Sequence, residues 1–267
     1  MLAFIFDVMD LRMTTPTWWG WFHILCVILT IGVTVLLCLL YKRGKIKNPR
    51  NVVFYTALIV IALEIYKQIQ YSFSYDGSVI FDYQWYAFPW QFCSMPMYVG
   101  LLAGLTRGKL QSFLYSFLAT FAVFAGACVM VYPGDVFTSS VWINIQSMIC
   151  HGSMIVIGVF LYYTGAVKAE HKTILKGMAV FSVAVGIAVL LDELAVIVGI
   201  VPNETFNMFF VSRHCEPSLP VYSSVQAVIP YPWCLFIYIA GFTTAAYLML
   251  LIAMLVKKVA GKVKKVA

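Results

Sequence analysis

Residues 18–50 read WWGWFHILCVILTIGVTVLLCLLYKRGKIKNPR, and this stretch decides the fold. From Trp18 to Tyr41 there is no charged side chain, and Lys42, Arg43, Lys45, Lys47 and Arg50 follow at once. Crossing the hydrocarbon of a bilayer takes about 20 largely apolar residues. The stretch therefore reads as a membrane span with tryptophans at one interface and a basic cluster at the other. Lysine and arginine concentrate on the cytoplasmic side of membrane proteins, so this span enters from outside.

The same pattern recurs along the chain. Of its 267 residues 62% are hydrophobic and 11% charged, with mean hydropathy +0.89. A soluble domain carries about a quarter charged residues, so this chain is expected to meet lipid along its length. Six further apolar segments follow: Asn51 to Phe73, Phe88 to Leu105, Leu110 to Val131, Val141 to Tyr163, Ile174 to Ile200 and Pro232 to Val256. The expected fold is all-α, a single domain over residues 1–267 with seven transmembrane helices. Connections after the first, third and fifth segments, with the tail 257–267, hold fifteen of the 18 basic residues. The N-terminus is thus expected outside and the C-terminus in the cytoplasm. This asymmetry accounts for the net charge of +7 without a nucleic-acid partner. The lysine-rich tail suits anionic head groups.

Residues 1–17 carry Asp7, Asp10 and no basic n-region, which argues for an interfacial segment rather than a signal peptide. The longest external loop, 201–231, contains FNMFF, SRHCEPSLP and IPYPW. Its aromatics and prolines predict a structure folded back over the outer helix ends. It also holds an NET sequon at Asn203, which matters only in a eukaryotic secretory membrane.

Ionisable side chains inside a membrane are costly and point to function. Glu64, Lys67 and Gln68 share one face of the second span, where Glu64 and Lys67 also have the spacing of an ion pair. Gln91 and Cys93 open the third span, in PWQFCSMPMYVG. The fifth brings Asn144, Gln146, Ser147 and His151, the sixth Asp192 and Glu193, and the first His23. At 1.5 Å per residue, Cys93 lies about 8 Å and His151 about 14 Å below the outer edge. All of these groups fall in the outer half, which predicts a cavity opening outward.

The seven cysteines form no CxxC pair, so neither a zinc nor an iron–sulfur framework is indicated, and no metal or cofactor is expected. HExxH, GxSxG and phosphate-loop motifs do not occur. A buried thiol becomes a useful nucleophile when a base takes its proton during attack. Cys93 and His151 are the pair at matching depth. Gln91, Asn144 or Gln146 is expected to orient the reacting groups or donate to an oxyanion. Glu64, Lys67 and Asp192 are expected to orient the histidine or bind a lipid head group. His214 and Cys215 form a second, weaker pair. Pro96 lacks the N–H that would bond to Phe92, so a free carbonyl is expected beside the thiol.

Together, FPWQFCSMPMYV (88–99), IQSMICHG (145–152) and the late FNMFF…LPVYSSVQAVIPYPW loop resemble the YwaF family. These are bacterial membrane proteins related to animal transmembrane protein 164. The resemblance covers nearly the whole chain and implies a lipid acyltransferase of the bacterial cytoplasmic membrane. It places Cys93 as nucleophile and His151 as its partner. Fatty acyl chains would pass from phospholipid to lysophospholipid through a thioester, without acyl-CoA. Where many bacterial members carry histidine two residues before the cysteine, this chain has Gln91, which puts more of the proton transfer on His151.

Three other readings fit the same residues. Glu64, Lys67, Asp192 and His151 could line an ion or proton path, although the cytoplasmic half lacks polar groups. Water in place of the lipid acceptor would make an esterase. A receptor shares the outside N-terminus, but its docking loops would be very short.

Overall fold

The computed structural model describes residues 8–75, 77–199, 206–216 and 219–266. Its helices are α1 (Trp21–Lys42), α2 (Pro49–Gln70), α3 (Met95–Leu105) and α4 (Gly108–Val131). After these come α5 (Val141–Tyr163), α6 (His171–Val198), α7 (Pro220–Val228) and α8 (Trp233–Val266). A small antiparallel hairpin, β1 (Phe73–Tyr75) and β2 (Val79–Phe81), follows α2.

Six of the helices are long and apolar enough to cross a membrane. The third expected span differs. It is a 3₁₀ turn, Phe92–Ser94, running into the 11-residue α3. At 1.5 Å per residue this covers about 21 Å, short of the roughly 30 Å hydrocarbon core. Residues 88–91 enter as irregular chain, where Pro89 has no backbone N–H to offer a further helical turn. Exposed polar backbone is not tolerated in lipid, so irregular chain at this depth must be sheltered by protein. Here the Trp90 indole donates to Ala184 O at 3.2 Å, and the Tyr98 hydroxyl donates to Pro89 O at 2.8 Å. The predicted free carbonyl is not found. Phe92 O accepts from Met95 N, and Pro96 lies in the first turn of α3, where its lost donor is not needed.

The bounds of α5 match the sequence expectation because both stops are local. Ser140 caps its start by accepting from Ile143 N, and Gly165 follows its end with a left-handed φ of 75°. Within α4, residues Leu118–Ala122 form a π-helical segment, which the sequence did not announce. The short α3 packs on α2 through Gly100 and Gly104, four residues apart. A Cβ on Gly104 would lie 2.6 Å from Phe54 Cβ, so this approach requires glycine.

The main core joins α3, α4, α6, α8 and the loop after α6 through stacked aromatics. Phe92 stands 5.2 Å from Phe181 and 5.8 Å from Phe209, while Phe181 stacks on Phe121 at 4.8 Å. Phe206, Met208, Phe209 and Val211 are buried in this core, so the described part of the long loop does fold back over the helices. Asn203 and residues 1–7 lie outside the described residues. Residues 8–13 run across the end of α2 and the start of α5. Tyr66 donates to Met9 O, the Trp142 indole to Val8 O, and Met13 N to Ser139 O.

Candidate functional site

A cavity of about 940 Å³ opens between α2, the entry to α3 and α5. Glu64 and Lys67 line it from α2, Gln91, Cys93 and Ser94 from the α3 entry, and Gln146, Ser147, Cys150 and His151 from α5. Asp135 and Thr138 contribute from the α4–α5 connection. Asn207, Phe210, Cys215 and Glu216 of the long loop complete the wall. Cys93 and His151 thus face one space.

His151 is 5% exposed, and its Nδ1 stands 2.8 Å from Ser147 O one turn earlier. A carbonyl can only accept, so Nδ1 carries the proton and Nε2 is the basic nitrogen. Helix α5 can sit close to α4 here because residue 126 is glycine, whose Cβ would fall 2.6 Å from His151 O. Cys93 is partly exposed to the cavity and occupies the first turn of the 3₁₀ turn and helix. Negative charge building on its sulfur is favoured by this place near the N-terminal end of the helix. Among the described residues, no hydrogen bond joins Cys93 to His151.

Glu64 is the hub of the cavity floor. Its Oε1 lies 2.8 Å from Lys67 Nζ and accepts from Gln68 Nε2 at 2.7 Å. Gln146 Nε2 lies 3.5 Å from Glu64 Oε2 and 3.3 Å from Cys150 Sγ. Gln146 therefore bridges α5 to Glu64 rather than standing free as an oxyanion donor. Gln68 also donates to Ala87 O and accepts from the Tyr83 hydroxyl at 2.6 Å. Tyr83 lies outside the spans, where burial and then the charge of Glu64 push its phenol up, so it remains a donor. Near the mouth, burial and the neighbouring Tyr86 push the Tyr71 phenol up to about 12.

Several expected site residues have other duties. Asn144 is fully buried and does not line the cavity; both ends of its amide are taken by the backbone of Thr138, at 2.8 Å each. Asp192 does not line it either. Its Oδ1 accepts from Met208 N at 2.8 Å. Gln91 lines the cavity, yet its amide clasps the loop: Nε2 donates to Asn207 O and Oε1 accepts from Phe209 N, each at 3.0 Å. These three side chains position backbone. His23 is a satisfied core histidine, with Nε2 3.0 Å from Met130 O and Nδ1 accepting from Trp19 N. The convergence thus rests on α2, the α3 entry and α5, not on five helices.

Glu193 turns away from the cavity to Arg213 at 2.8 Å and His214 at 3.2 Å, so His214 is tied to a carboxylate. The wall residues Cys215, Phe210 and Asp135 were not singled out as cavity residues from the sequence. They come from connections whose paths only the folded chain reveals.

No curated protein and no solved structure matches the chain. The TMEM164 family model matches residues 18–254, which takes in every side chain of the cavity. This multi-pass membrane protein belongs to the TMEM164 family.

Proposed function

We propose that the protein is a membrane acyltransferase. It would move a fatty acyl chain from a phospholipid to a lysophospholipid through a thioester on Cys93, at the outer side of a bacterial cytoplasmic membrane. The observation that carries the reading is the shared cavity, in which His151 offers a basic Nε2 and Cys93 a helix-terminal thiol.

In the first half-reaction Cys93 Sγ attacks the ester carbonyl and its proton passes to His151 Nε2. As the tetrahedral intermediate collapses, the C–O bond breaks and Nε2 returns the proton to the departing lysophospholipid oxygen. The acceptor hydroxyl then attacks the thioester and gives its proton to Nε2, and the C–S bond breaks. Nε2 finally reprotonates the thiolate. Sγ and Nε2 share no direct hydrogen bond, so the proton passes through a water or substrate oxygen between them.

A lipid substrate suits the surroundings. On the other face of α5, an apolar crevice of about 730 Å³ runs between α1, α2 and α5. It is lined by Leu29, Val33, Ile59, Met148 and Gly152 and has room for an acyl chain beside the cavity. Glu64 and Lys67 set the electrostatics of the cavity floor as a neutral pair.

Membranes holding wild-type, Cys93→Ala or His151→Ala protein, supplied with a labelled phospholipid donor, test the reading. Transfer should be lost in both variants, and transfer at wild-type rate in either would sink it. Labelled free fatty acid without acylated acceptor would identify water as the acceptor and make the protein an esterase. Ion flux in proteoliposomes, abolished by Glu64→Gln and untouched by Cys93→Ala, would make it a transporter.

A further inference from the structure

At the opposite, basic end of the bundle lies a second pocket, of about 530 Å³. It is separated from Glu64 by about 22 Å of α2. Arg50 at the start of α2 and Arg107 just before α4 line it, with Gly108, Ser112 and Tyr115. Lys176 of α6 reaches the same place and donates to Ser112 Oγ at 3.0 Å. No carboxylate lines the pocket, and among the described residues Arg50, Arg107 and Lys176 form no ion pair. Three uncompensated cations around one recess is an arrangement that ordinarily calls for an anion.

Two further features aim at the same space. Tyr115 is 6% exposed, and among the described residues its hydroxyl has no hydrogen-bond partner. That hydroxyl is not one of the fully enclosed unpaired atoms, so it opens into the pocket it lines. A buried phenol normally finds a partner for its O–H. Helix α4 also begins here without a side-chain cap, leaving N–H groups of its first turn open to an acceptor.

We propose that this pocket binds a phosphate group, held between Arg50 and Arg107 with a hydrogen bond from the Tyr115 hydroxyl. The phosphate is carried either by an anionic phospholipid of the adjoining leaflet or by a soluble phosphate ester. The site is independent of the chemistry at Cys93.

The full chain in detergent provides the test, with two arms. Retention of phosphatidylglycerol against a diacylglycerol control is followed by native mass spectrometry, and binding of glycerol phosphate by calorimetry. Charge-assisted hydrogen bonds dominate such sites, so Arg50→Gln/Arg107→Gln should weaken retention about tenfold or more. Tyr115→Phe, which keeps charge and shape, should weaken it about threefold. Arg43→Gln/Lys45→Gln, altering exposed cations of the same face outside the pocket, should bind as wild type. This pattern in the first arm identifies the lipid, and in the second a soluble ester. Absence of binding by wild-type protein in both arms would overturn the proposal. So would an equal loss in the Arg43/Lys45 variant, which would mean diffuse surface charge.

Discussion

Glu64→Gln isolates the ion pair on the cavity floor. The Glu64 and Lys67 side chains are only 8% and 17% exposed, and their charged atoms lie 2.8 Å apart. Removing one member of a buried pair leaves the other uncompensated, at a cost of about 3–5 kcal/mol. Lys67 still faces the cavity and water, which lowers the expectation to about 2–4 kcal/mol. The new amide also replaces one of the two carboxylate oxygens with an NH2, so either Gln68 or Gln146 meets a donor where it had an acceptor. For a chain of this size the apparent Tm should fall by about 4–16 °C. Lys67→Met should cost a similar amount. Glu64→Leu/Lys67→Met should recover most of it, because an apolar pair of similar volume replaces the ions at little net cost. Recovery will stop about 1 kcal/mol short, since the Glu64 bond to Gln68 is lost as well. Thermal denaturation of detergent-solubilised protein, followed by monodispersity on size exclusion, measures these four proteins together with Glu64→Leu, the matching single variant of the cycle. A double variant as unstable as the sum of the singles would refute the pairing, because independent sites add and coupled ones do not.

The other tests concern side chains that hold backbone in place. Gln91→Ala removes both hydrogen bonds that clasp Asn207 and Phe209, so hydrogen exchange at 206–212 should speed by about tenfold or more with little change in α5. Unchanged protection would contradict the latch. Asn144→Ala strips Thr138 of two bonds and should cost about 1–3 kcal/mol of global stability, and an unchanged Tm would show that water replaces the amide. Gly126→Leu must push α4 away from His151 O, so acyl transfer should fall while Cys93 still reacts with a small thiol reagent. Normal transfer would mean that the α4–α5 approach does not seat His151.

The six membrane-length helices were legible in the sequence because their signals are local. Apolar runs, the basic clusters beyond them, Ser140 and Gly165 can all be read from neighbours in the chain. The third span was read too long, since its apolar composition conceals irregular entry chain stabilised from afar by Ala184 O. The candidate site was legible in Cys93, His151, Glu64, Lys67 and Gln146, which share the cavity. Gln91, Asn144 and Asp192 were read as chemistry because each is polar at membrane depth. The structure gives them backbone partners instead, three of these, Asn207, Met208 and Phe209, in a loop more than a hundred residues from Gln91. Polarity at depth signals that a partner exists, but not whether that partner is substrate or backbone. His23 teaches the same lesson, its partner being a carbonyl on α4.

The most direct measurement is the mass of the Cys93 peptide after incubation with a phospholipid of defined acyl chain, quenched in acid to preserve thioesters. The account predicts the mass of that acyl group on Cys93, removed by added lysophospholipid and absent from the His151→Ala protein. Active transfer with Cys93 unmodified throughout, or with the acyl group on Cys150 or Cys215 instead, would contradict it.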